Sequence, residues 1–131
     1  TQSGRVPMQD EILVDEKVLK GLLSLGSGIE FFEELVESFS RDAEQMIKKM
    51  RRAVSEHDFP ALQDAAHALR GSASEFGAYR LVKLCLEIKQ MKPFEMTTQI
   101  PTVLLEDIQQ AFDTSQLMLN EFARQRREAE Q

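Results

Sequence analysis

The sequence predicts an all-α protein, an antiparallel four-helix bundle with one short additional helix at its N-terminal side. Apolar residues recur every three or four positions through most of the 131 residues, and strand-like alternation is nearly absent. Glycine and proline divide this pattern into helical segments with short connections. Helices that each carry one apolar stripe bury those stripes best against one another, as a bundle.

Two helices are predicted in the first half of the chain. The short first helix begins after Asp15 as N-cap and ends at the glycine turn 26–28. A long amphipathic helix follows, and its apolar stripe consists of Ile29, Phe32, Val36, Phe39, Ala43, Met46, Met50 and Val54. Near its end lie four cations, Lys48, Lys49, Arg51 and Arg52. They either interact favourably with the negative end of the helix dipole or form a basic binding patch.

Three further helices are predicted in the second half. Asp58 is expected to cap the third helix, and Gly77 separates that helix from the fourth. Pro93 ends the fourth helix, and Pro101 occupies the first turn of the fifth. The apolar stripe predicted for the fifth helix consists of Leu104, Ile108, Ala111, Ser115, Met118 and Phe122.

Composition and charge indicate one soluble domain whose partners are proteins. The chain is 42% hydrophobic and 29% charged, and its net charge of -6 argues against a nucleic-acid binder, which needs surplus cations. No apolar stretch approaches the roughly 18 residues of a membrane span, so no direct membrane contact is expected. We predict a linker over 1–11, the bundle over 12–125 and a frayed polar tail over 126–131, in a monomeric fragment of a larger protein.

Cys85 is the single cysteine of the chain and lies within an apolar run. A lone cysteine cannot form an internal disulfide, and burial in such a run is typical of a small core residue. This pattern favours a reducing, cytoplasmic location.

The third helix has two faces, and only one of them is apolar. Its apolar face consists of Leu62, Ala65, Ala66, Leu69, Ala73 and Phe76. A second stripe, directed to solvent, holds His67, Arg70, Gly71 and Ser74 at i, i+3, i+4 and i+7. Glycine inside a helix costs about 1 kcal/mol relative to alanine, so we interpret Gly71 as clearance beside the imidazole. Arg70 brings a permanent cation suited to an anionic group attached to that ring.

The residues from His67 to Gly77 resemble the signature of the histidine-containing phosphotransfer (HPt) domain family. That signature is a histidine, an aliphatic residue two positions on, Lys or Arg at the third position, Gly at the fourth, small residues, and then an apolar residue and Gly. The order and lengths of the helices extend the resemblance over roughly residues 12 to 125. One departure is Lys89, with Gln90 beside it, where many members place a glutamine facing the histidine; Lys89 offers a second positive charge instead.

The resemblance implies a phosphocarrier that is not itself an enzyme. His67 would accept a phosphoryl group from a receiver-domain aspartate and pass it to another. The ring nitrogen that carries the group is expected to be Nε2. Residues expected to stabilise the phosphate or to face the receiver are Arg70, Gly71, Ser74, Lys89 and Gln90. A divalent cation is expected in the receiver, and no cofactor or metal in this chain. The family also suggests the C-terminal module of a hybrid sensor histidine kinase, a parent protein that can be membrane-anchored.

Other interpretations remain open at the level of sequence. A degenerate HPt domain that docks a partner without phosphotransfer would share both fold and surface. An autokinase or another enzyme is disfavoured because the sequence contains no nucleotide-binding loop and no set of acid, base and nucleophile. A metal site at His57 and His67 is disfavoured because residues ten apart do not share a helical face. His57 is expected to be an ordinary solvated residue of a turn.

Overall fold

Helices account for most of the described residues, which are 12–25 and 28–130 of this computed structural model. The elements are α1 Glu16–Leu25, α2 Ile29–Ser55, α3 Phe59–Glu75, α4 Tyr79–Lys89, a 3₁₀ helix Pro93–Thr97 and α5 Ile100–Ala129. The predicted linker 1–11 and the turn residues 26–27 lie outside this described part. Within it, no helix combines the length and the apolar character that crossing a membrane requires.

The four long helices form a closed arrangement in which each packs on two others. Helix α2 packs on α3, α3 on α4, α4 on α5, and α5 on α2. Short connections make consecutive helices antiparallel, and α1 packs on α2 at one end of the bundle. The predicted all-α bundle with a short additional helix is confirmed.

Helix α3 begins and packs as the sequence predicts. The carboxylate Oδ1 of Asp58 accepts a hydrogen bond from the backbone N–H of Ala61 at 3.1 Å, which caps the first turn. Every residue of its predicted apolar face is buried. Because three of those residues are alanines, the α3 backbone approaches both α2 and α4 closely. Cys85, on α4, is buried, as predicted.

The buried face of α5 is wider than its predicted stripe. Met118 is 37% exposed, whereas its neighbour Leu119 is completely buried. The additional buried positions include Leu105, Phe112 and Leu119, which lie seven residues apart. These positions are buried because α5 packs against two helices, α2 and α4, and a single apolar stripe on α5 is too narrow to contact both. The stripe of α2 shifts in the same way, with Ile47 buried and Met46 half-buried.

The last turns of α5 remain helical to Ala129, where the sequence predicts a frayed tail. Arg127 donates hydrogen bonds to the carboxylate of Glu33 on α2, and this partner lowers the pKa of Glu33 below its ordinary value. The guanidinium of Arg126 lies over the ring of Phe122, 4.9 Å from its centroid. The first contact joins this polar segment to α2, and the second lies within α5 itself.

Helix α1 is attached to the bundle at the turn between α3 and α4. The backbone N–H of Asp15 donates to the carbonyl of Gly77 at 2.9 Å. Gly77 has φ +66 in a Schellman turn, in which the next N–H, that of Ala78, bonds the carbonyl of Ala73. A Cβ at position 77 would lie 3.0 Å from the Cβ of Val18 on α1. The turn therefore requires glycine for two reasons, backbone conformation and space.

We expect Gly77→Ala to lower the free energy of unfolding by about 1–3 kcal/mol. Alanine pays for a left-handed backbone conformation, and its methyl group pushes α1 away from the α3–α4 turn. Urea unfolding followed by circular dichroism measures the change. An unchanged midpoint would contradict both the conformational cost at residue 77 and the steric conflict with α1.

Candidate functional site

His67 lies on the solvent face of α3, opposite the buried alanines. The residue is exposed, and in the described part of the chain its imidazole makes no hydrogen bond or ion pair. The backbone beneath it is fixed, because Ala66 and Leu69 on the same helix are at most 1% exposed. The helix thus presents an imidazole that is accessible to a partner molecule and is carried on a rigid backbone.

Arg70 lies one turn from His67 and is half-buried at the side of α3 that faces α4. Burial raises the pKa of the neighbouring Cys85 thiol to about 12, and the positive charge of Arg70 opposes this shift. Among the described residues, the guanidinium of Arg70 has no hydrogen-bond or ion-pair partner. By contrast, Arg124 binds two glutamates, Glu121 and Glu128. Arg70 therefore keeps its donors available for an anion beside His67.

Gly71 and Ser74 complete the predicted stripe, and both are exposed. A Cβ built at Gly71 would meet no atom within 4 Å, and its backbone is ordinary helix. Neither packing nor conformation within the domain therefore requires glycine at this position. The space above residue 71 is open to an approaching partner.

Lys89 and Gln90 lie at the far end of α4, Lys89 as its last residue and Gln90 as its C-cap. Both are exposed, and Gln90 lines a groove with Ile100 and Val103 at the start of α5. No hydrogen bond or ion pair within the described residues joins either side chain to His67. The hydrogen bond from Gln63 to Ile88 brings this end of α4 beside the turn of α3 that precedes His67.

Gln63 is a residue near His67 that the sequence analysis missed. It lies one turn before His67 on α3 and is half-buried. Its Nε2 donates a hydrogen bond to the backbone carbonyl of Ile88, in the last turn of α4, at 2.5 Å. The same carbonyl also accepts from the backbone N–H of Met91 at 3.1 Å, so the Gln63 side chain adds a further bond, which joins α3 to the end of α4. A glutamine on a helix surface is ordinary, and only its spacing of four from His67 could have pointed to it.

His57 is a backbone turn residue with no place in this stripe. It is exposed and has φ 56, the left-handed conformation, at the end of α2. The next N–H, that of Asp58, bonds the carbonyl of Ala53 at 2.8 Å, which is again a Schellman turn. No cluster of three or more potential metal ligands involves it or any other residue in the described ranges.

Comparison with known proteins identifies the family. The sequence model of the Hpt domain matches residues 34–125, which is well over half of the chain. The chain belongs to the Hpt domain family. Its fold is similar to that of histidine-containing phosphotransfer protein B from Pseudomonas aeruginosa PAO1, with a TM-score of 0.76 over 86% of this chain and 96% of the other, at 22% identity.

Two curated relatives are much longer than this Hpt domain. The sensory/regulatory protein RpfC of Xanthomonas campestris pv. campestris is 30% identical over 89 residues, which are 68% of this chain and 12% of the relative. Multistep phosphorelay regulator 1 of Schizosaccharomyces pombe is 29% identical over 84 residues, 63% of this chain and 28% of the relative. As an Hpt domain, the chain is a histidine phosphocarrier module, as the sequence resemblance implied.

Proposed function

We propose that this Hpt domain accepts a phosphoryl group on His67 from an aspartate of a receiver domain and delivers it to the aspartate of another. The observation that carries this assignment is the pairing of an exposed, unpartnered imidazole with a half-buried arginine, Arg70, that has no counter-ion among the described residues. An exposed histidine without a function would not require an unpaired arginine one turn away. Receiver domains are accordingly the proposed partners.

The proposed transfer is a substitution at phosphorus. The Nε2 lone pair of neutral His67 attacks the receiver's acyl phosphate; a P–N bond forms while the P–O bond breaks, and the electron pair leaves with the aspartate carboxylate. The proton on Nδ1 stays on the ring. Arg70 neutralises charge on the phosphoryl oxygens, since such transfer needs positioning and charge stabilisation more than covalent assistance.

The partner supplies what this chain does not provide in the proposed reaction. The divalent cation resides in the receiver, and the domain takes nothing directly from ATP. Transfer to the second receiver is the reverse substitution, so one site serves both directions. We propose that these receivers belong to a larger signalling system, because RpfC is named a sensory/regulatory protein and the fission-yeast relative a multistep phosphorelay regulator.

We expect His67→Gln to abolish phosphoryl acceptance while leaving thermal stability nearly unchanged, because an exposed side chain contributes little to packing. Acid-labile, alkali-stable phosphate is measured after incubation with a phosphorylated receiver. His57→Asn is the matched control, because asparagine tolerates the left-handed conformation at that position. Phosphate at His57 would refute the assignment, and a wild-type domain that binds the receiver without becoming phosphorylated would instead show a docking module.

Arg70→Ala should slow transfer about 10- to 100-fold, which is the effect of losing one charge-assisted hydrogen bond to the phosphoryl group. Arg70→Lys should recover part of the rate, since it restores the charge without the planar set of donors. Single-turnover transfer from a phosphorylated receiver gives both rates. Wild-type kinetics in Arg70→Ala would transfer the charge-stabilising role to Lys89.

Gly71→Ala and Gly71→Gln should separate stability from function. Both replace a helical glycine where a Cβ meets nothing, so each should raise the free energy of unfolding by up to about 1 kcal/mol. Only the long glutamine side chain fills the space through which a receiver reaches His67, so Gly71→Gln should transfer slowly. Thermal unfolding and transfer rates test both variants, and fast transfer by Gly71→Gln would exclude the clearance role.

A further inference from the structure

We propose that this domain forms a reversible dimer with a second copy of itself, in which the two α5 helices pair antiparallel along an exposed stripe. The stripe runs from Ile100 to Leu117 and faces away from the core of the bundle. The inference is independent of the chemistry at His67, and it replaces the monomer that the sequence predicts.

Four large apolar side chains of α5 are exposed, although the helix also has a wide buried face. Ile100 and Val103, near the start of the helix, are 40% and 49% exposed. Leu117, about four turns after Val103, is 69% exposed, and Met118 beside it is 37% exposed. Exposed apolar surface of this extent is typical of a site where another molecule packs.

The stripe has the spacing of a helix that pairs with another helix. Its members alternate three and four residues apart and are Ile100, Val103, Asp107, Gln110, Thr114 and Leu117, all exposed. They line three grooves that follow one another along α5, and Asp107 and Thr114 are each shared by two adjoining grooves. The surface is therefore continuous and, at roughly 26 Å, long enough to receive a second helix.

The order of residues along the stripe fits a second copy in antiparallel orientation. A two-fold axis midway between Asp107 and Gln110 brings Ile100 of one copy opposite Leu117 of the other, because each lies seven residues outside the central pair. Asp107 then faces Gln110, a carboxylate acceptor against an amide donor. In the described part of the chain, neither of these two side chains has a hydrogen-bond partner. The axis makes the apolar contact and the polar contact twice.

Charges on α4 fit the same arrangement. Glu87 and Asp107 line the same two grooves between α4 and α5, so they lie at one height of the bundle. Lys83 lies one turn from Glu87, toward the level of Gln110. The two-fold axis therefore brings Lys83 of one copy opposite Glu87 of the other, and neither forms an ion pair within residues 12–25 and 28–130. Opposite charges at this place favour the antiparallel orientation.

Acidic residues on the other side of the stripe limit the strength of the dimer. Asp113 is connected to α2 through Gln109, which donates to Asp113 and accepts from Arg51. Glu106 is exposed on the same helix, and in the antiparallel pair it approaches Asp113 of the second copy. Like charges repel there, so association is reversible and depends on concentration.

The proposed dimer leaves the phosphotransfer site of each copy accessible. Helix α5 packs on α2 and α4, and α3 packs on the same two helices, so α3 and α5 are diagonally opposite in the bundle. His67 is exposed on α3 and faces away from the proposed contact. A receiver can therefore reach each histidine of the dimer.

Sedimentation equilibrium of the whole chain over a range of concentrations tests the association. Wild type should pass from monomer to dimer, and Leu117→Lys should raise the dimer Kd about 10-fold or more because it places a charge in both apolar contacts. Leu25→Lys is the matched control, since Leu25 lies on α1 and is 78% exposed. Circular dichroism verifies that both variants fold. A wild type that stays monomeric would leave the stripe to a helix of another protein and overturn the proposal, as would a dimer that Leu117→Lys does not weaken.

Charge reversal tests the orientation of the two copies. Lys83→Glu should weaken the dimer about 3- to 10-fold, because it sets two carboxylates against each other at both symmetric places. Adding Glu87→Lys to that variant should restore the wild-type Kd. Absence of this recovery would refute the antiparallel register.

Cross-linking tests the register residue by residue. A mixture of Asp107→Cys and Gln110→Cys chains should form a disulfide-linked dimer faster than either variant alone, because only the mixture brings the two thiols face to face. Cys85 is buried and does not compete. Faster cross-linking within one variant would overturn the register. His67→Gln should dimerise as the wild type does, so loss of phosphate acceptance and loss of the dimer are distinguished.

Discussion

Burial of one face of α3 between α2 and α4 is the constraint on which the rest of the site depends. The buried face consists of leucines and alanines with almost no solvent exposure, so the helix can neither rotate nor shift without opening the core. His67 stands on the opposite face and inherits that rigidity. A carrier that must meet different partner surfaces benefits from a nucleophile whose position does not depend on a loop.

The surroundings of His67 depart from what stability alone would favour. Gly71 interrupts a helix where alanine would fit, and Arg70 is half-buried without a counter-ion among the described residues. Elsewhere, Arg124 and Arg127 are paired with glutamates. Local rules are commonly broken at functional sites and compensated by the remaining structure. Here the compensation is the well-packed core beneath α3, and both departures lie within about one turn of the histidine.

The two histidines show how local backbone structure separates a site residue from a turn residue. His57 and Gly77 occupy equivalent places in two Schellman turns, at φ 56 and φ +66. In one turn glycine is needed because α1 packs directly on it, whereas in the other an exposed residue bears the left-handed conformation. Histidine as a residue type therefore carries little information. Its position on a regular helix, with a cation and an open surface beside it, carries much more.

The sequence by itself determined the helices, their caps and the two faces of α3. Those features follow from periodicity, from Asp58 as N-cap and from Gly77 at a helix end, which all act within a few residues of chain. The motif from His67 to Gly77 was equally local, and so the family could be recognised before the fold was known. The stripe around His67 was predictable for the same reason.

Tertiary structure decided which helices pack together and which residues along them come into contact. The link from Gln63 to Ile88, the missing counter-ion of Arg70 and the burial of Leu119 in place of Met118 all depend on neighbours distant in sequence. So does the extension of α5 to Ala129, which its contact with Glu33 on α2 supports. Helical periodicity defines the direction in which a side chain points, but it cannot specify the atom of another helix that it meets there.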